Sequence, residues 1–332
     1  MGQSQKENDI LERIVASLPK ALPGEIWSGD DMAVFDLTAF DPRTISETKS
    51  ETETYHIGKE RPGGKNYLLF SSDCLVENVH FDKRFSSAED IGYKALSVNI
   101  SDIAAMGAIP YRAVVSVAAK SGGDIEAVMK GMAEAAAEYS CPITGGDLSA
   151  ASQMFISVAV LAVSLHSPPV LRSGANPGDL LFVTGPLGAG YAGLRYLKED
   201  PKCQNDAANR HRRPKARLEA GLAAKAAGAG AMMDLSDGIL TDSNRLALAS
   251  AVGVSIDYCP VHNLATEDEA LQGGDDYELL FTAKDSDRVK EEFASRSLEL
   301  PIEIGKCTKD PGLRLYKGRQ MELSGFQHIF KD

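Results

Sequence analysis

No run of apolar residues in this chain is long enough to span a bilayer, which takes about 20 in a helix. The opening Met-Gly-Gln-Ser-Gln-Lys lacks the apolar core of a secretory signal, and Lys6 breaks the myristoylation pattern. These absences lead us to expect a cytoplasmic protein with no membrane partner. Cysteine is sparse: Cys74, Cys141, Cys203, Cys259 and Cys307 stand far apart without a Cys-x-x-Cys pair and read as reduced thiols. Positive charge is in deficit, with 35 Lys and Arg against 47 Asp and Glu. The formal net charge of −12 argues against a nucleic-acid or anionic-membrane binder. An anionic substrate stays open, because clustered carboxylates can recruit divalent cations that reverse the local field. The pattern Gly-x-x-x-x-Gly-Lys-Ser/Thr is missing, which excludes a P-loop. No Ser-His-Asp or Cys-His constellation stands out, and Cys74 beside Asp73 reads as packing.

What is present is enough for two cores. A length of 332 residues exceeds one ordinary domain, and 43% hydrophobic with 25% charged residues is a globular balance. Residues 10–18 form a short amphipathic helix ahead of Pro19. Strands are expected over 33–37 and 67–71, separated by a polar insertion at about 41–65. If the two strands pair as a hairpin, Gly29-Asp30-Asp31 meets Ser71-Ser72-Asp73 at one edge and the insertion lies at the other. Further on, a strand (112–118), a helix (125–139), a turn at Thr144-Gly-Gly-Asp147 and a strand (154–164) close an α/β domain over 1–166. A second α/β domain follows over 167–332, with strands near 180–184, 231–233 and 277–281 and helices near 216–227, 239–251 and 289–293.

Chemistry concentrates in carboxylates. The stretch from Tyr93 to Gly107 reads as a buried helix, with Leu96, Ile100 and Ile103 on one face and Ala95, Asn99, Asp102 and Met106 on the next. A lone buried carboxylate would take up a proton, so Asp102 must be paired, hydrogen-bonded or cation-bound. Asp30, Asp31, Asp73, Asp147, Asp234 and Asp237 recur beside small residues at element ends, where Mg2+ finds oxygen ligands. Singly, each could be a turn or helix cap; as a set they stay ionised only with cations present. Gly188-Ala-Gly190-Tyr-Ala-Gly193 has the form of a dinucleotide-binding turn, but no second parallel strand ending in an acid follows, so the glycines read as structural. The basic run 210–215 lacks interleaved aromatics and reads as a solvated or phosphate-facing surface. His80 lies close to Asp73 and is either a site residue or a satisfied structural histidine. Phe326 and Phe330 could cover a flat ligand or fill core.

Taken in order, several stretches resemble the thiamine-monophosphate kinases, within the superfamily of aminoimidazole ribonucleotide synthetase and selenophosphate synthetase. They are Gly29-Asp-Asp-Met-Ala, Ser71 to Phe81, Tyr93 to Pro110, Gly145-Gly-Asp147, Arg172 to Asp179, Asp234-Leu-Ser-Asp-Gly238, Gly273-Gly-Asp-Asp-Tyr-Glu278 and Gly325-Phe-Gln-His328. The resemblance implies an aminoimidazole ribonucleotide synthetase-like fold of two α/β domains, the N-terminal sheets of a homodimer forming one barrel. It implies ATP in the interdomain cleft with several Mg2+ ions. By motif position, Asp31, Ser71, Ser72, Asp73, Asp102, Asp147, Asp234 and Asp237 would hold metal. Gly146, Asp147, Arg172 and Ser236 would contact ATP, and His80, Asp275 and Phe326 would contact thiamine monophosphate. The family usually has Glu where Asp275 stands and often Thr at Ser72, and the 41–65 insertion is longer than most relatives carry.

The implied reaction is ATP-dependent phosphorylation of thiamine monophosphate to thiamine diphosphate, the last step of its biosynthesis. A phosphate monoester, largely dianionic at neutral pH, needs no general base. It needs relief of anion repulsion, which suits a carboxylate-rich, metal-holding site and direct in-line transfer. Phe326 could stack on the cationic substrate ring, a contact of roughly 0.5–2 kcal/mol. Alternatives within the superfamily are weakened by the missing reactive-Cys segment of selenophosphate synthesis and by the wording of the Asp234 and Gly273 motifs. An NAD-dependent oxidoreductase would rest on one misplaced glycine pattern.

Overall fold

The computed structural model describes residues 5–6, 30–36, 65–321 and 329–330. The expected helix at 10–18, the insertion apart from Lys65, and Phe326 lie outside the described residues.

The N-terminal half is built on one five-stranded sheet. Strand β1 (Gln5–Lys6) belongs elsewhere, pairing with Ile329–Phe330. Strands β2 (Ala33–Asp36) and β3 (Tyr67–Val76) form the expected antiparallel hairpin, with Ala33 opposite Phe70 and Asp36 opposite Tyr67. The chain just before β2 therefore runs beside Ser71, Ser72 and Asp73. With β4 (Ile109–Ala119), β5 (Ile143–Ala150) and β6 (Phe155–Ser164), the order is β2-β3-β6-β4-β5. The turn expected at Thr144–Asp147 is instead part of β5, paired parallel with β4. Two adjacent glycines suggest a turn locally, whereas the close approach of β4 requires one of them: a Cβ on Gly146 would lie 1.7 Å from the Val115 carbonyl oxygen.

One sheet face is covered by helices α1 (Ala88–Ala105) and α2 (Gly122–Glu138). Helix α1 starts five residues before the apolar pattern suggests, because Ser87 and Asp90 form a reciprocal capping box. The two helices pack at van der Waals limits: a Cβ on Gly92 would sit 1.9 Å from the Val128 carbonyl oxygen, and one on Gly131 1.8 Å from that of Glu89. Leu96, Ile100 and Ile103 fill the core against Ile156, Val158 and Val160 of β6. Fully burying such side chains contributes about 1.5–3 kcal/mol each. The sheet's other face leaves Phe70, Val114 and Phe155 exposed.

The C-terminal half carries a mixed seven-stranded sheet with β7 (Leu180–Val183), β8 (Met232–Asp234), β9 (Gly253–Ile256), β10 (Leu279–Ala283) and β11 (Ile302–Thr308) at its centre and one edge. Helices α3 (Ala189–Glu199), α4 (Asp206–Arg212), α5 (Leu218–Ala226), α6 (Ile239–Ala249) and α7 (Glu267–Gln272) connect them. The basic run 210–215 begins within α4, which is capped by the Asn205 side chain on the Ala208 N–H at 2.8 Å. Helix α1 joins the halves. Its Ala104 and Ala105 pack with Phe182 and Phe281 of the second sheet, and a Cβ on Gly221 of α5 would lie 2.1 Å from the Ala104 carbonyl oxygen. That contact sets the side of α1 bearing Ser101 and Asp102 against β8. Among the described residues no helix is long and apolar enough to cross a membrane.

Candidate active site

Three segments remote in sequence meet where α1 touches β8. Asp31 precedes β2, Asp102 lies on α1 and Asp234 ends β8; each offers a carboxylate oxygen, and these oxygens lie within 4.8 Å of one another. Hydroxyls hold two of them: Ser71 donates to Asp102 Oδ2 at 2.8 Å and Ser101 to Asp234 Oδ2 at 2.7 Å. Arg172 grips the third, with Nη2 2.7 Å from Asp31 Oδ1 and Nε 3.1 Å from Oδ2. Its backbone N–H also donates to the Asp30 carboxylate at 3.1 Å.

The electrostatics record crowding. Burial, then Asp73, Asp234 and Asp31, push the Asp102 carboxyl well above its usual range. Burial and Asp31 push Asp234 up to about 7. Asp30 is pushed up to about 6, by burial and then Asp31. Asp73 is raised by burial and by Asp237 and Asp31. One guanidinium cannot neutralise this set. Hard oxygen ligands converging within one ion's reach, with too few cations, fit Mg2+.

The other expected site residues divide. Asp73 sits at the mouth of a cleft of about 980 Å3, with Ser236, Asp237, His80 and Asp275 also on its walls. The Asp73 backbone N–H donates to Asn99 Oδ1 at 3.1 Å, tying β3 to α1. Asp237 pairs with Arg245, which also reaches Asp242 Oδ1 at 3.0 Å. Asp242, fully buried and pushed up to about 8 by burial and Asp237, had no sequence signal beyond its place in the first turn of α6. Ser72, Gly146 and Asp147 are not with the cluster. Strand alternation turns Ser72 away from Ser71 and Asp73. Asp147 lies on exposed β5, where Ser149 Oγ donates to it at 3.0 Å. It is in line with Ser116, Ser157 and Cys74, so it stands three strand spacings from β3, about 14 Å.

The far side of the cleft is fixed by a partly buried ion pair that the sequence did not reveal. Lys94 Nζ of α1 lies 2.8 Å from Asp275 Oδ2, and the Tyr277 hydroxyl donates to Asp275 Oδ1 at 3.0 Å. Although burial opposes ionisation of Asp275, Lys94 and the nearby His211 hold its carboxyl below the usual range. Asp275 (φ 67) and Tyr277 (φ 51) are both in the left-handed region, which costs about 1–3 kcal/mol for each such residue. His80 Nδ1 accepts the Val76 N–H at 3.0 Å, which leaves Nε2 carrying the proton in the neutral ring.

The glycine pattern before α3 is structural, as read from the sequence. A Cβ on Gly190 would lie 2.2 Å from the Asp275 carbonyl oxygen, and one on Gly193 2.1 Å from that of Ala207. The helix N-terminus is filled by Asp276, which accepts the Gly188 and Gly190 N–H groups at 2.6 and 3.0 Å.

His211 supplies a pH signature for this wall. Its Nδ1 lies 3.1 Å from the Gly190 carbonyl oxygen, and burial, then Lys94, hold the imidazole down to about 3 from 6.5. Between those values the unfolded chain binds a proton that the folded chain refuses. Stability from this group is therefore lost as pH falls below about 6.5, by about 1.4 kcal/mol per unit. His211→Asn, whose amide can keep the Gly190 bond, should remove that term. Urea unfolding at pH 6.5 and pH 5 should show the wild type losing about 2 kcal/mol more than the variant. Equal losses would mean an ordinary His211 pKa.

Residues 29–164 match the family model described as AIR synthase related protein, N-terminal domain, and residues 176–318 match its C-terminal domain. The thiamine-monophosphate kinase of Bacillus subtilis (strain 168) is 39% identical over 250 residues, 69% of this chain and 76% of that protein. This chain belongs to the thiamine-monophosphate kinase family. The family's member from Aquifex aeolicus (strain VF5) is 33% identical over 281 residues, 79% of this chain and 88% of its own. The solved structure of AaThiL complexed with AMPPCP and TMP superposes with a TM-score of 0.78 at 29% identity, over 97% of each chain. The resemblance carried by the sequence motifs, and the two-domain fold it implied, are thus borne out. Arg172 falls between the two matched segments and reaches Asp31 in the first.

Proposed function

We propose that this chain phosphorylates thiamine monophosphate with ATP, forming thiamine diphosphate in the cytoplasm by one direct in-line transfer. The observation that carries the reading is the convergence of Asp31, Asp102 and Asp234 beside a cleft that has an acidic end and a partly apolar wall. Asp31, Asp102 and Asp234, joined by Asp73 and Asp237 across the cleft, would hold Mg2+. When bound, the ions would neutralise phosphate oxygens and draw charge toward the leaving group.

The chain's own residues then position the reactants. Ser71 and Ser101 fix the carboxylate rotamers, so the site needs little reorganisation when phosphate arrives. Arg172, loaded onto Asp31, can exchange that partner for a nucleotide phosphate, and Ser236 lies at the same mouth. Lys94 and Tyr277 hold Asp275 against the substrate side, where its shorter reach replaces a Glu. No group acts as a base, because the acceptor oxygen already carries charge.

A homodimer completes the reading. The exposed Phe70, Val114 and Phe155 suit burial against the same face of a second copy. Closing two such sheets into a barrel sets the β5 edge, with Gly146 and Asp147, beside the other copy's β2 edge, where its acid cluster begins.

The test is purified protein with thiamine monophosphate and MgATP. Thiamine diphosphate and ADP are expected, with no turnover of free thiamine or aminoimidazole precursors. Absence of diphosphate, or phosphorylation of free thiamine instead, would overturn the reading. ATP made chiral at the γ-phosphorus should give inverted product; retention would mean a phosphoenzyme and rule out direct transfer.

A further inference from the structure

The apolar part of the cleft contains an aromatic ring that no role above uses. Tyr191 stands in the first turn of α3, is 50% exposed, and its hydroxyl has no hydrogen-bond partner among the described residues. Leu194, three residues on and so on the same helix face, lines the cleft with it. On the opposite wall Val79 is 52% exposed, and Val76 and Val98 continue the apolar surface. Gly273 is the bed for the ring: a Cβ there would lie 2.6 Å from Tyr191 Cβ and 3.0 Å from its Cγ. A side chain at 273 would therefore displace Tyr191.

The charge of the same walls favours a cation. Asp73, Asp237, Asp268, Glu269 and Asp275 line the cleft against the single Lys94. Lys94 pairs with Asp275, Arg245 with Asp237 and Arg195 with Glu269. Asp73 and Asp268 are left without a cationic partner among the described residues. Mg2+ at the acid cluster would engage Asp73, and Asp268 would still bias the apolar end toward positive charge. The slot thus joins a phosphate-handling end to an apolar end that has an exposed π-face and residual negative charge.

We infer that Tyr191 is the face on which the cationic heteroaromatic ring of the acceptor rests, opposite Val79, and that it sets the preference for a charged ring. This rests on the kinase reading and assigns a specificity role within the same cleft. A cation over a tyrosine face accounts for about a 3- to 30-fold affinity difference.

Kinetics with thiamine monophosphate should show Tyr191→Ala raising KM for the monoester by about 3- to 30-fold, the loss falling on that KM and not on the KM for ATP. Tyr191→Phe keeps the face and should restore the wild-type KM. A monoester whose thiazolium is replaced by an uncharged ring should bind the wild type more weakly and lose less in Tyr191→Ala. An unchanged KM in Tyr191→Ala, or a Tyr191→Phe as impaired as Tyr191→Ala, overturns the inference. Calorimetric titration with thiamine, which has the cationic ring but no phosphate, reads the ring contact without turnover. Weaker binding to Tyr191→Ala than to wild type supports the inference even if no diphosphate is formed, and equal binding overturns it.

Discussion

Asp102→Asn should lower turnover by about 10²–10³-fold or more while leaving the protein folded and, without divalent ions, more resistant to heat. The argument starts from the crowding on α1. The Asp102 carboxyl is raised by burial and by three other aspartates, so its charged form is disfavoured in the metal-free fold. Asparagine keeps the shape and can still accept the Ser71 hydroxyl, while one negative charge leaves the cluster. Stability and activity should therefore move in opposite directions, as expected of a group retained for chemistry. Steady-state rates and thermal unfolding in chelator decide it. Near-wild-type turnover, or a lowered unfolding temperature, would make Asp102 a structural residue.

Chelation of divalent ions should abolish turnover, and restoring Mg2+ should stabilise the wild type by about 2.7 kcal/mol at a hundredfold excess over Kd. The cause is the same repulsion: Arg172 pairs with Asp31 alone, leaving Asp102 and Asp234 to be satisfied by hydroxyls and protons. A cation that binds only the folded arrangement shifts unfolding toward higher temperature with its concentration. The shift should shrink to a small fraction in Asp102→Asn. A wild type whose unfolding and turnover ignore Mg2+ would contradict the metal-holding role of Asp31, Asp102 and Asp234. A shift that survives in the variant would place the metal elsewhere.

Much of this site could be anticipated because its signals are local or follow from strand pairing. Helical spacing put Asp102 on a buried face, and antiparallel pairing brought the residues before β2 to Ser71–Asp73, as found with Ala33 opposite Phe70. The failed context of the Gly188–Gly193 pattern foretold glycines used for close packing. Where local signals misled, long-range pairing was the reason. Gly145-Gly146-Asp147 has turn-like composition, yet β4 recruits it as a parallel strand. Lys94 reads as one charge on a helix, and only the return of the chain 181 residues later brings Asp275 to it.

By itself the sequence determined the family, the two α/β halves and the stock of acids, since motif order and hydrophobic period are properties of neighbouring residues. Tertiary structure alone decided which acids share a site. Asp31, Asp102 and Asp234 lie within one ion's reach because α1 packs against β8, held there by the close contact of its Ala104 with Gly221 of α5. Asp147, as acidic as the rest, is held on a far edge strand. Burial and like-charge repulsion depend on distance through space, so the raised carboxyl groups and the slot walled by Tyr191 and Val79 exist only once the two halves are packed together.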